Sequence, residues 1–357
     1  MLFNVDNDAG DAIGGWLVLD NPGDTPMFRV SVSGREDHVF KANVFRRDLY
    51  DLGMHSTGMA GFHIDEHMIP GLPGLGDLSI KEATSGLPIY GRFDPETQIE
   101  RKLLMIDTGV LPQIRSLQRV MERFAIRYPM VDRYSLESVV SILSRPYFRS
   151  VAVTGNVNWI RAASAVESTG FTAMALLRNP FEEMAEKFIV LKRLADQPTN
   201  PAAQPILEKY TVLLTSIQDM DMESHKSILS TMRNLNRDQR RLLRSPMTYA
   251  FGASPEEELQ RRNVSAALDN LARFSLVGTR ARFKEFAYLA DSMLGGDVFG
   301  DIEMKNLPFT ESLASSLAET GVARDLLDED IALYSFAEEA VETVLPSKPD
   351  GVRRLPG

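Results

Sequence analysis

The sequence predicts an α/β protein built as a small N-terminal β-sandwich followed by an α/β domain with a helical C-terminal part. Three observations carry this expectation. The chain has 357 residues, more than one ordinary core accommodates. Residues 12 to about 92 alternate short apolar runs with turn clusters, as strands of a sandwich do. From residue 99 onward, strand-like and helix-like stretches alternate with short connections, which implies a mostly parallel sheet covered by helices.

In the first part the runs Trp16–Leu19, Phe28–Val32 and His38–Phe40 read as strands. They are separated by Asp20-Asn21-Pro22-Gly23 and Ser33-Gly34, residue types that favour turns. Trp16 is expected in the core of this module. On a strand, His63, Asp65 and His67 would share one face, and a solvent-facing strand is preferred to a metal site there. A linker at Gly91–Gln98, containing Asp94-Pro95, sets the domains at 1–97 and 98–345, with a disordered tail over 346–357.

In the second part Leu103–Ile106 reads as a strand and Asp107–Leu111 as a turn. Pro112 to about Arg127 reads as a helix with Leu117, Met121 and Phe124 on one face. Pro112 suits the first helical position, where its missing N–H would be unpaired anyway. Arg115, Arg119, Arg123 and Arg127 would then form one basic stripe, read first as a solvated face. Ser135–Leu143 is a further helix, Ser150–Thr154 and Thr172–Leu177 are buried strands, and Phe181–Ala195 is a helix. After a break at Gln197–Pro205 the remainder is helical, with Asp328-Glu329-Asp330 opening a helix whose dipole favours acids in its first turn.

Composition narrows the function classes. The 44% hydrophobic and 25% charged fractions are those of a soluble globular protein. No apolar run reaches the roughly 18 residues of a membrane span. The acidic start MLFNVDNDAGDAIGG does not read as a secretory signal, so a cytoplasmic location is expected. With no cysteine, disulfides, thiolate metal sites and a cysteine nucleophile are excluded. A net charge of −10 argues against nucleic acid as a partner. The charge is uneven: residues 99–194 hold 14 Lys/Arg against 9 Asp/Glu, so an anionic ligand is expected there.

The strand–turn–helix at 103–127 has the layout that binds phosphate, with amide N–H groups and the helix dipole directed at an anion. Four stretches carry a resemblance: Leu104–Ser116, Leu177-Arg178-Asn179-Pro180-Phe181-Glu182-Glu183, Asn236–Leu242, and Ala267–Phe283 with Leu326–Tyr334. In order and spacing, residues 99–340 resemble the glycan-modifying sulfotransferases of the heparan and chondroitin type. Gly15-Trp16 through Gly61-Phe62 resembles a β-module found in bacterial polysaccharide-assembly proteins. The resemblance implies a sulfotransferase-like P-loop fold and 3′-phosphoadenosine 5′-phosphosulfate as cofactor. It implies a glycan or polysaccharide acceptor and the protein partners of a polysaccharide-assembly system. It assigns donor binding to Thr108, Gly109, Gln113, Arg115, Arg178 and Arg241, and places Asn156 and Glu186 on the pocket.

Three positions depart from the family pattern. At the donor loop the family lysine is Thr108, its preceding proline is Asp107, and the small G-T-S segment is Leu111-Pro112-Gln113. Losing two or three charged hydrogen bonds of roughly 1.5–3 kcal/mol each weakens donor binding by about 10²- to 10⁴-fold. The family's 3′-phosphate serine is Glu186, and its histidine base is Asn156, an amide that cannot take a proton. Three readings stay open: a sulfotransferase of bacterial surface polysaccharide biosynthesis with an unusual donor mode, a non-catalytic pseudoenzyme holding a glycan or protein partner, and a transferase using another nucleotide-linked donor.

Overall fold

The computed structural model describes residues 1–110, 119–197, 204–300 and 302–344. The N-terminal strands are β1 (Leu2–Asp8), β2 (Ala12–Val18), β3 (Met27–Ser31), β4 (His38–Lys41), β5 (Val44–Phe45), β6 (Met59–Asp65), β7 (Ser79–Glu82) and β8 (Pro88–Gly91), with a short helix α1 (Arg47–Asp51). They form two four-stranded sheets, ordered β1-β2-β6-β5 and β4-β3-β7-β8, with antiparallel pairings.

Alternation produces the sandwich: β2 buries Ile13, Gly15 and Leu17 and β3 buries Phe28 and Val30. The two sheets meet where the Phe28 and Phe62 rings lie 4.7 Å apart between centroids. A Cβ on Gly15 would fall 2.6 Å from the Phe62 ring, so glycine is required where that ring crosses β2. Trp16 is half-buried: it packs on the cluster of Val18, Leu49 and Ala60, with the Arg46 guanidinium 5.9 Å from its ring centroid. His63 is exposed on β6, and Asp65 accepts the amides of His67 and Met68 to close the following turn.

Five more strands follow: β9 (Lys102–Ile106), β10 (Ile126–Tyr128), β11 (Val151–Gly155), β12 (Thr172–Leu177) and β13 (Leu276–Thr279). Their sheet order is β10-β11-β9-β12-β13, and the β10/β11 and β12/β13 pairs are parallel. The expected helix reaching Arg127 is corrected here. Residues 119–122 are helical, but Phe124 closes on the carbonyl of Met121, and Ile126–Tyr128 is a strand with Ile126 and Tyr128 buried. Arg127 therefore sits on β10, its Nε donating to the Phe124 carbonyl, and the four arginines do not share one helix. Arg115 and Gln113, with the rest of 111–118, lie outside the described residues, as does the tail beyond Val344.

The helices are α2 (Leu136–Leu143), α3 (Trp159–Thr169), α4 (Pro180–Ala195), α5 (Gln204–Lys209), α6 (Thr211–Ile217), α7 (His225–Asn234) and α8 (Arg237–Leu243). After them come α9 (Pro246–Gly252), α10 (Arg261–Leu271), α11 (Phe283–Leu294), α12 (Thr310–Ala318), α13 (Gly321–Leu326) and α14 (Asp328–Val344). Among the described residues no helix is long and apolar enough to cross a membrane. The chain divides into two compact units. One comprises Met1–Leu104, Leu117–Thr154 and Ala162–Thr172; the other comprises Met105–Ser116, Gly155–Arg161 and Ala173–Gly357.

Within the second unit α9 and α10 cross at close range. Asn263 and Asn270 of α10 donate to the Gly252 and Phe251 carbonyls at 2.9 and 2.7 Å. A Cβ on Gly252 would stand 2.2 Å from the Asn263 carbonyl oxygen and 2.8 Å from Ala267 Cβ. Gly252→Ala must push the helices apart, an overpacking cost of about 1–3 kcal/mol. Thermal unfolding should show Tm lowered by roughly 2–4 °C for each kcal/mol lost; an unchanged Tm would show that the crossing yields without cost.

Candidate functional site

β12 and β13 pair in register up to Leu177 opposite Thr279, and on each strand the next residue is arginine, Arg178 and Arg280. Asn179 then caps α4, its side chain accepting the Phe181 and Glu182 amides at 3.0 and 3.3 Å, with Pro180 in the first turn. The abrupt strand-to-helix change fixes Arg178 at the base of α4. Side chains four and eight residues further on, Glu182 and Glu186, return to its face.

Glu186 is the centre of the arrangement. Its carboxylate accepts Arg178 Nη1, both terminal nitrogens of Arg280 at 3.5 Å, and the Leu307 amide at 3.1 Å. Arg178 Nη2 donates to Asn306 Oδ1 at 3.1 Å, and its Nε lies 3.7 Å from Glu182 Oε2. Arg280 Nη2 also donates to the Lys305 carbonyl at 2.8 Å. Burial works against the Arg178 charge, but Glu186, with Glu183 and Glu182, more than offsets it and raises the Arg178 pKa. Arg280 is lowered, by burial first and then by the neighbouring Arg178. Burial would raise Glu186, yet the two guanidiniums and the Leu307 amide hold it below the usual carboxylate range.

The turn after β9 reaches the same place. Asp107 N–H bonds the Gly155 carbonyl at 3.1 Å, aligning the ends of β9 and β11, and Gly109 N–H closes the turn on Asp107 Oδ1 at 2.9 Å. The buried Thr108 hydroxyl donates to Glu183 Oε2 at 2.8 Å. Glu183 is itself buried on α4, and burial raises its pKa against the opposing pull of Lys187 and Thr108. In the sheet order, β9 and β12 are the neighbours at which the strand sequence reverses. Ligands of open α/β sheets collect beyond the carboxyl ends of strands at such a point.

A second buried acid stands behind Glu183. Asp330, in the first turn of α14, accepts the Met247 and Thr248 amides at 3.0 and 2.7 Å and the Thr248 hydroxyl at 2.7 Å. It caps α9 from outside, because Ser245 at the head of that helix makes no side-chain cap. Glu329 is buried beside it, paired with Arg244 at 2.6 Å and with the Ser245 hydroxyl at 3.0 Å.

Of the residues expected from sequence, Thr108, Gly109, Arg178 and Glu186 converge here. Arg178 and Glu186, both expected around a donor 3′-phosphate, are one ion pair. Asn156 follows Gly155 at the end of β11 and is partly buried. Arg241 is exposed on α8, and its partner is the Pro255 carbonyl at 3.5 Å. Gln113 and Arg115 lie outside the described residues. Sequence reasoning missed Arg280, Asn306 and Asp330 here; it read Glu182 or Glu183 as the simple ion-pair partner of Arg178, and the structure pairs that arginine with Glu186 and, at 3.7 Å, Glu182. The remainder after 205 was expected to be helical, but Leu276–Thr279 is strand β13, because it pairs in register with β12, and without that strand Arg280 could not be placed beside Arg178.

The acids give a pH dependence with a definite sign. Burial, reinforced by Glu183, pushes Asp330 from its ordinary 3.8 up to about 7. Between those values the folded chain keeps a proton that the unfolded chain has released. Stability therefore falls as pH rises through this window and levels off above it. Glu183, raised as well, adds the same sign. Thermal unfolding of Asp330→Asn from pH 5 to 8 should give a flatter profile than the wild type; parallel profiles would refute the assignment. No family model matches the chain, and a search of the curated proteins gives no match.

Proposed function

We propose that this chain is a sulfotransferase-like protein of bacterial surface-polysaccharide assembly, acting in the cytoplasm, that holds a glycan or protein partner without transferring sulfate. The observation carrying this reading is the position of Glu186. It stands where the resemblance expects the hydroxyl that meets the donor's 3′-phosphate, and its carboxylate already takes both Arg178 and Arg280. A phosphate arriving there would have to displace a buried ion pair and then face an uncompensated carboxylate.

The Thr108 hydroxyl, at the family's lysine position, is likewise committed to Glu183. Among the described residues, Thr108, Arg178 and Glu186 therefore do not fit 3′-phosphoadenosine 5′-phosphosulfate in the family manner. A second reading, a transferase with another nucleotide-linked donor, draws support from three buried atoms. Among the described residues, Arg178 Nε, Arg280 Nε and Glu183 Oε1 have no hydrogen-bond partner, a condition that ordinarily needs an explanation.

Thermal shift with adenosine 3′,5′-bisphosphate separates the two. The wild type is expected to show no shift at millimolar ligand. Glu186→Ser should gain one, up to about 2.7 kcal/mol of stabilisation at a hundredfold excess over Kd, and Arg178→Ala in that background should abolish it. Glu186→Gln, closer in shape, keeps the test open if the serine variant folds poorly. A wild-type shift that Arg178→Ala removes would overturn the non-catalytic reading in favour of a transferase. No gain in either Glu186 variant would overturn the role given to Glu186.

A further inference from the structure

The first unit carries a cleft of about 540 Å³ that the site around Glu186 does not use. Its walls come from the β1–β2 turn, the 73–76 segment, the end of β8 with Arg92 and Phe93, and residues 147–150. The volume lies in the range of small-molecule sites.

The frame is rigid because its charged pair is fully satisfied. Arg92 gives all five of its N–H groups to fixed acceptors: Asp8 Oδ2 and Oδ1 at 2.8 and 2.9 Å, the Gly10 carbonyl at 2.7 Å, the Leu75 carbonyl at 2.9 Å, and the Leu72 carbonyl. Asp8 also takes the Tyr90 hydroxyl at 2.8 Å and the Gly10 amide at 2.9 Å. Neither member of this pair needs a ligand, and the cleft keeps its shape without one.

What the cleft offers lies on top of that frame. Phe93, Tyr90 and Tyr147 are partly exposed aromatic side chains on its wall. The Arg149 guanidinium lies 4.9 Å over the Phe93 ring, with 63% of its side chain exposed. Its counter-ion Glu100 is as open, at 58%, and does not line the cleft. Such a surface pair is worth little and yields readily to a ligand carboxylate. The charged lining groups are one carboxylate and two guanidiniums, so the cleft carries positive charge within a chain of net charge −10.

We infer that this cleft binds an acidic oligosaccharide. Pyranose C–H faces lie against the aromatic side chains, ring hydroxyls meet the tyrosine oxygens and the exposed glycine-rich backbone, and a uronate carboxylate takes Arg149. A wholly apolar ligand would strand those hydroxyls, and a neutral sugar would leave the guanidinium unused. The inference stands apart from the reading of Glu186, since it rests on different residues and different probes.

The test is saturation-transfer NMR and titration calorimetry on the full chain, with trigalacturonate and maltotriose as probes. Trigalacturonate should bind and maltotriose should bind at least about tenfold more weakly, one charge-assisted contact being worth that much. Arg149→Ala should erase the difference between the two. Phe93→Ala should weaken both, and Arg133→Ala, an exposed arginine beside Tyr134, should change neither. Unchanged Tm values for the variants separate lost binding from lost folding. The inference is overturned if trigalacturonate gives neither transfer nor heat, if maltotriose binds equally well, or if both Arg149→Ala and Phe93→Ala retain wild-type affinity.

Discussion

Two guanidinium groups placed side by side at the ends of paired strands require a counter-charge, and the region from residue 178 to 186 is organised by that requirement. The register of β12 and β13 leaves Arg178 and Arg280 adjacent and largely removed from water. At a separation of a few ångströms such like charges repel by a few kcal/mol even in a moderately polarisable setting, about 4 kcal/mol at 4 Å. Glu186 meets the need because α4 begins two residues after Arg178, and two helical turns bring a side chain back above the strand end. The Leu307 amide and Asn306 then complete the shell, which fixes the segment leading into α12.

The same helix explains the buried acids of a chain already rich in negative charge. Glu183 is one position from Glu182 and faces the other way, toward Thr108 and, more distantly, Asp330. Each acid finds a different answer to burial. Glu329 has a guanidinium, Asp330 has the amides at the head of α9, and Glu183 has a hydroxyl and the field of Lys187. The first-turn acids of α14 therefore do more than complement their own helix dipole: two of them hold the start of another helix in place.

Much of the fold was legible in the sequence because period carries it. The alternation in β2 and β3, the apolar runs of β9, β11 and β12, and the Asn179-Pro180 start of α4 all appear where residue pattern and capping chemistry put them. The helix expected to reach Arg127 failed because the helical spacing of Leu117, Met121 and Phe124 was extended past its end. Ile126 and Tyr128 instead alternate inward and complete a sheet edge, a tertiary preference that outweighs local spacing. The site was half legible. Arg178 and Glu186 could be named from their positions, but their union needed the helical return, and Arg280 needed the β12/β13 register, which no single segment contains.

Two internal ion pairs in this molecule show how saturation separates structure from site. Arg92 and Asp8 satisfy one another completely, with every guanidinium hydrogen assigned and both carboxylate oxygens used twice. An arginine so occupied supports geometry and has nothing left to offer. Arg178 is more deeply buried and differently placed: its Nε and that of Arg280 lack hydrogen-bond partners among the described residues, although Glu186 and the nearby Glu182 supply counter-charge. At this place the Coulombic requirement is met and the directional one is not. That difference separates the guanidiniums at the ends of β12 and β13, which keep unused donors, from Arg92, whose donors are all committed to the frame around it.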